Sequence, residues 1–153
     1  MRKDLAVEQL GDLLEQPLNA TLATYRRDGS VLLSPVWHEW RDGGFSVITG
    51  ADDVKVRHIE RDRRAAIVVA DHLLPFRGIE LSGAPSVDRD AERAQAALRR
   101  IAVRYLGEQQ GRAYAEGVGD GMVIIRLVPG RLRTWDFADD AALSLGGQAG
   151  APS

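Results

Sequence analysis

Eighteen of the twenty basic side chains in this sequence are arginines, and Lys55 is one of only two lysines. The other, Lys3, stands in a terminal segment expected to fray. An ammonium is a compact point charge on a flexible stem and a guanidinium is a planar fork, so the two are not interchangeable. Lys55 lies early in the run Asp52-Asp53-Val54-Lys55-Val56-Arg57-His58-Ile59-Glu60-Arg61-Asp62-Arg63-Arg64. Read as a short helix from about Asp53 to Asp62, capped by Asp52 or Asp53, this run sets Lys55 beside free backbone amides. Arg57, Arg61 and Arg64 follow it. Helix N-terminal amides and positive side chains both favour negative charge, so the chemistry on offer is anion binding. The same pattern also reads as a solvated charged face.

A second group is Ser34-Pro35-Val36-Trp37. Proline cannot donate to a strand ladder, so Pro35 marks an edge, a bulge or an opening toward a ligand. Freed backbone groups there could hydrogen-bond a planar heterocycle, while the plainer reading is an edge-strand proline with Trp37 in the core. Trp135, near the end of the chain, either walls a ring-binding cleft or fills the core. His38, His58 and His72 lack metal-ligand spacing, so no metal site is expected. With no cysteine and no Gly-x-Ser-x-Gly elbow, covalent acyl-transfer chemistry is not expected either. Gly117-Val118-Gly119-Asp120-Gly121 looks like part of a dinucleotide fingerprint, but it precedes a strand rather than joining strand to helix and reads as a loop.

The elements that must position these groups follow from periodicity and turn signals. Leu5–Glu15 has helical spacing with Asp4 as a cap, and Pro17 ends it. Ala20–Tyr25 and Val31–Trp40 read as strands joined at Asp28-Gly29, and Asp42-Gly43-Gly44 turns the chain into a third strand, Phe45–Thr49, which Gly50 ends. After the basic helix, Ala65–Ala70 reads as a strand buried on both faces. Asp71–Arg77 is a loop, and Gly78–Ala84 alternates like a strand. The longest helix opens at Asp88 or Asp90 and stops at Gly107, and a second covers about Glu108–Glu116. The last strand runs from Met122 to Val128 and continues past Pro129-Gly130 through Arg131–Phe137. One domain over residues 1–137 is expected, with 138–153 as a flexible tail rich in Ala and Gly.

Composition narrows the partners. A net charge of −2 gives no general basic footprint for nucleic acid or a membrane surface. No apolar run approaches the roughly 20 residues that span a bilayer, and no signal segment is evident, so a cytoplasmic protein is expected.

Together these features resemble the pyridoxamine 5′-phosphate oxidase-like superfamily. The resemblance rests on the Thr-Tyr-Arg-Arg-Asp-Gly hairpin, Ser34-Pro35-Val36-Trp37, the Gly50 strand end, the Lys55-x-Arg57-x-Ile59-x-Arg61-Asp62-x-Arg64 helix and the closing Trp135-Asp136-Phe137. It is nearest to the actinobacterial flavin/deazaflavin oxidoreductases that use coenzyme F-420. It implies a mainly β, mostly antiparallel split β-barrel of the FMN-binding type with flanking helices. It implies a homodimer with cofactor clefts at the subunit interface and Trp135 reaching in from the partner copy. Lys55, Arg61 and one or both of Arg57 and Arg64 would bind the cofactor phosphate. Ser34, Pro35, Val36 and Trp37 would lie along the ring, and Thr49, Gly50 and Ala51 along the phosphoribityl chain. The activity implied is hydride transfer from reduced F-420 to an unsaturated organic acceptor. The resemblance leaves two alternatives: an FMN-binding oxidase or reductase, and a non-catalytic carrier of the cofactor or a tetrapyrrole. No catalytic side chain stands out, His38 and Tyr25 being the candidate proton donors. At one position the chain departs from its relatives, which often carry a basic residue near 53, where Asp53-Val54 stands here. That carboxylate is compatible with a phosphate site if it turns to cap the helix.

Overall fold

The computed structural model of the chain describes residues 1–140. Among these residues ten strands form two antiparallel sheets. The first holds β1 (Arg2–Lys3), β10 (Arg131–Asp136), β7 (Gly78–Gly83), β6 (Ala65–Ala70), β2 (Ala20–Tyr25) and β3 (Val31–Val36), in that order across the sheet. The second holds β4 (Glu39–Arg41), β5 (Gly44–Gly50), β9 (Met122–Leu127) and β8 (Ser86–Asp88). Leu22, Ile67, Val69, Ile79 and Leu81 of the first sheet meet Phe45, Val47, Ile125 and Leu127 of the second in one core, all essentially without solvent exposure. This is the expected split barrel.

Three α-helices among the described residues decorate it. Helix α1 (Val54–Asp62) joins the two sheets, burying Val56, His58 and Ile59. Helices α2 (Ala91–Leu106) and α3 (Glu108–Val118) form a hairpin. α2 lays Ala94 and Ala97 on Ile48 and Ile124 of the second sheet. Asp90 caps α2, its carboxylate accepting from the Arg93 amide at 2.8 Å.

Several elements differ from the sequence reading. Leu5–Glu15 is not an α-helix but a single 3-10 turn, Val7–Leu10, followed by further turns. Gly11 takes φ +61°, ψ −127°, which no helix continues, and the Leu10 carbonyl is claimed by the Arg77 guanidinium at 2.8 Å. The periodicity reported burial, since Leu10 and Leu13 plug the barrel. Asp4 is no cap: its φ is +55° and its amide donates to the Thr134 carbonyl. Lys3 lies in a strand, paired with Trp135, rather than in a frayed end. The expected strand Val31–Trp40 breaks at Trp37-His38, where the chain crosses from β3 in one sheet to β4 in the other. The final strand likewise breaks at Pro129-Gly130, putting β9 and β10 in different sheets. β6 is fully buried on one face only, as Ala66, Val68 and Ala70 on the other are half-exposed. Of the expected tail, Ala138–Asp140 turn against Asp136 and Phe137; residues 141–153 lie outside the described residues. Among the described residues no helix is long and apolar enough to cross a membrane.

Candidate functional site

α1 follows directly from the end of β5. Asp53 caps it, accepting from the Lys55 amide at 2.9 Å, and the same carboxylate oxygen takes the Lys55 ammonium at 3.0 Å. The Asp53 amide in turn donates to the Gly50 carbonyl at 3.0 Å, which ties the helix to the strand end. Burial works against the charged carboxyl of Asp53, but the bonds from Lys55 outweigh it and hold the group below the usual carboxylate range. The carboxylate therefore caps the helix, as the sequence allows, but it does not turn away from the seat: the same oxygen holds Lys55, the lysine of α1.

The other cations divide into two groups. Arg57 folds back on the helix start and donates to the Asp52 carbonyl at 3.0 Å. Arg61 donates to the Tyr25 carbonyl, and the Arg64 guanidinium lies 3.9 Å from the centre of the Tyr25 ring. Lys55 and Arg57 thus stand at the first turn beside Gly50, while Arg61 and Arg64 gather about two turns on at the end of β2. Arg57 of the first group and Arg61 of the second act on His58, a buried residue with Nδ1 3.0 Å from Thr24 Oγ1. Burial first, then the guanidinium groups of Arg61, Arg26 and Arg57, hold that imidazole below its ordinary range. This pair could not be seen in the sequence, because Thr24 and His58 are joined only by the packing of α1 on β2.

Thr49, Gly50 and Ala51 sit at the same strand end. Thr49 is buried, the Ala51 amide donates to the Gly121 carbonyl at 2.8 Å, and a Cβ added to Gly50 would meet nothing within 4 Å. Gly50 therefore opens onto free space beside the Lys55 turn.

Ser34, Pro35 and Val36 lie on β3, the edge strand of its sheet, paired with Leu22, Thr21 and Ala20 of β2. Pro35 points out of the core and its strand has no neighbour on the far side among the described residues. The edge-strand expectation for this proline holds. Trp37 turns away toward the helices, stacked on Tyr105 at 4.9 Å and 7° and tilted against Tyr114. His38 is wholly buried, its Nδ1 2.9 Å from the Tyr105 hydroxyl, which also accepts the His38 amide and donates to the Leu18 carbonyl. Burial, with the positive charge of Arg104, pushes its pKa down to about 4. His38 is therefore a neutral structural residue at pH 7 and no reservoir of protons.

Trp135 lies at the other side of the same sheet. Its ring covers Gly78, where an added Cβ would fall 2.0 Å from the indole, and Arg133 stacks on it at 4.9 Å. With Lys3, Thr134 and Phe137 it lines a cavity of about 260 Å³. Four strand spacings, roughly 19 Å along the sheet, separate β10 from β3. One chain brings Lys55, Arg57 and Gly50 together, but it does not bring Trp135 to Pro35. Loop 71–77 is pinned by Arg77, which bridges Asp71, Asp12 and the Leu10 carbonyl.

A family profile described as pyridoxamine 5′-phosphate oxidase matches residues 6–136. A search of curated proteins gives no significant match. Among solved structures, a conserved hypothetical protein of Mycobacterium tuberculosis is 22% identical, with a TM-score of 0.77 over 97% of this chain and 90% of that one. An F-420 reductase is 25% identical, with a TM-score of 0.63 over 79% of this chain and 93% of that one. A heme storage protein of Vibrio cholerae shares the fold at 15% identity, with a TM-score of 0.64 over 85% of this chain and 94% of that one. The profile runs from the first turn to the last strand, and this chain belongs to the pyridoxamine 5′-phosphate oxidase family.

Proposed function

We propose that this protein is an oxidoreductase that binds coenzyme F-420 in clefts between two copies of the chain. The observation that carries the reading is the seat of α1: a helix start with Lys55 and Arg57, placed against a strand end that opens over Gly50. Such a seat suits a phosphate, whose charge would be met by the side-chain cations and the positive end of the helix, the Lys55, Val56 and Arg57 amides being taken by Asp53. The F-420 reductase among the structural relatives supports the choice of a deazaflavin.

Lys55 and Arg57 would hold the phosphate from the first turn, with Arg61 and Arg64 raising the positive potential behind them. Thr49, Gly50 and Ala51 would border the chain that links phosphate to ring. The free edge of β3 at Ser34–Val36 would offer backbone groups to the ring. Trp135 of a second copy would cover it and exclude water. When bound, the reduced cofactor would supply a hydride for an unsaturated organic acceptor. The half-exposed outer face of the first sheet supports the dimer, because Val31 and Leu33 on its edge strand are 42% and 64% exposed.

A tryptophan-fluorescence titration with F-420 and, separately, with FMN tests the assignment. Saturable quenching by F-420, diminished in Trp135→Phe, is the expected result. Quenching by FMN alone would move the protein to the flavin oxidases, and quenching by neither would refute cofactor binding at this site.

A further inference from the structure

The second sheet carries a groove that plays no part in the proposed cofactor cleft. Ser46, Arg126 and Ser86 are directly opposed on β5, β9 and β8, so their side chains form one row on the outer face of the sheet. α2 packs on the neighbouring residues Ile48 and Ile124 of the same face. The space left between the row and Arg93, Ala96 and Arg100 of α2 is a groove of about 460 Å³. That is ample for a small ligand.

The Arg126 guanidinium is fixed at its base. It donates to the Gly44 carbonyl at 3.2 Å, to Ser46 Oγ at 3.1 Å and to the Asp42 carbonyl at 2.7 Å. Gly44 makes the seat: a Cβ there would lie 3.2 Å from Arg126 Cζ and 2.5 Å from the Leu127 carbonyl oxygen. All three acceptors are neutral. The other cations of the groove are compensated, since Arg100 pairs with Glu39, Arg93 with Asp88 and Arg41 with Asp42. Among the described residues no carboxylate lies within ion-pair distance of Arg126. A held guanidinium with unspent charge and donors, flanked by two serine hydroxyls, is suited to an oxyanion with hydrogen-bonding neighbours.

We infer that this groove binds a small anionic metabolite through its phosphate or carboxylate group, with Arg126 as the anchoring cation and Ser46 and Ser86 beside it. The site is separate from the α1 seat. Ser46 and Gly50 are four residues apart on β5, about 13 Å along the strand.

The test is an amide NMR titration of the full chain with inorganic phosphate and, separately, acetate. We expect saturable shifts at Gly44, Ser46 and Ser86 with a Kd of about 1 mM or below for one of the two anions. Preference for phosphate would point to a phosphate ester, and preference for acetate to a carboxylate. Arg126→Gln should weaken that binding about tenfold. Ser86→Ala, on an exposed position, should weaken it about threefold and gives an answer even if Arg126→Gln does not fold. Absence of saturable shifts in the groove, or affinity unchanged in the variants, would overturn the inference. So would shifts confined to residues 50–61 and abolished by Lys55→Ala, since the anion would then occupy the α1 seat.

Discussion

Asp53 governs what Lys55 can offer an incoming anion. Their ion pair is partly open to solvent, with side-chain exposures of 32% and 16%, and such pairs contribute about 0–1 kcal/mol. A charge-assisted hydrogen bond to phosphate contributes roughly 1.5–3 kcal/mol, so a phosphate wins the ammonium from the carboxylate. Asn caps a helix as well as Asp does. Asp53→Asn should therefore keep α1 intact and tighten F-420 binding by up to about 1 kcal/mol, measured by calorimetry. A loss of affinity would show that the carboxylate orients Lys55 rather than competing for it. His38 gives a pH prediction. Its folded pKa of about 4 lies below the ordinary 6.5, so the unfolded chain takes up a proton that the folded chain refuses. The stability it supports is complete above about 6.5, declines as pH falls toward about 4, and changes no further below that. The total is about 3 kcal/mol. Urea midpoints at neutral pH and near pH 5 should differ accordingly, and His38→Gln should flatten most of the difference, His58 leaving a residue of the same sign.

At the scale of elements, the loop before β7 depends on one side chain. Arg77 is mostly buried and holds Asp71, itself only 7% exposed, along with Asp12 and the Leu10 carbonyl. Arg77→Ala leaves the Asp71 charge buried without its partner and should cost roughly 3 kcal/mol, read as a lower urea midpoint at unchanged slope. Elements with their own local signals are legible in the sequence. The β2–β3 hairpin announces itself at Asp28-Gly29, and α1 and α2 by their aspartate caps. What escapes depends on distant partners. β1 and β8, of two and three residues, are too short to show a period and exist only because Trp135 and Arg126 lie opposite them. The break at Trp37-His38 is set by the stack on Tyr105, which no local pattern encodes. The helical expectation for Leu5–Glu15 fails for the same reason, because leucines spaced to face one core need not be helical.

For the whole molecule, the candidate site divides between what one chain can assemble and what it cannot. Lys55, Arg57 and Thr49–Ala51 are legible as a set because they are close in sequence. Ser34–Val36 and Trp135 occupy opposite sides of one sheet, and only the family resemblance joins them. A second copy laid over the outer face would close that gap. Light scattering at micromolar concentration should give twice the 16.7 kDa chain mass. Leu33→Asp places a charge on the exposed edge of that face and should shift the protein to monomer while weakening F-420 binding. A wild-type monomer would leave Trp135 without a route to the ring. The most direct test of the central claim is a calorimetric titration of F-420 into the wild-type protein and Lys55→Ala. The account predicts one cofactor per chain, with the variant weaker by roughly 1.5–3 kcal/mol. No binding to wild type, or equal affinity in the variant, would contradict it.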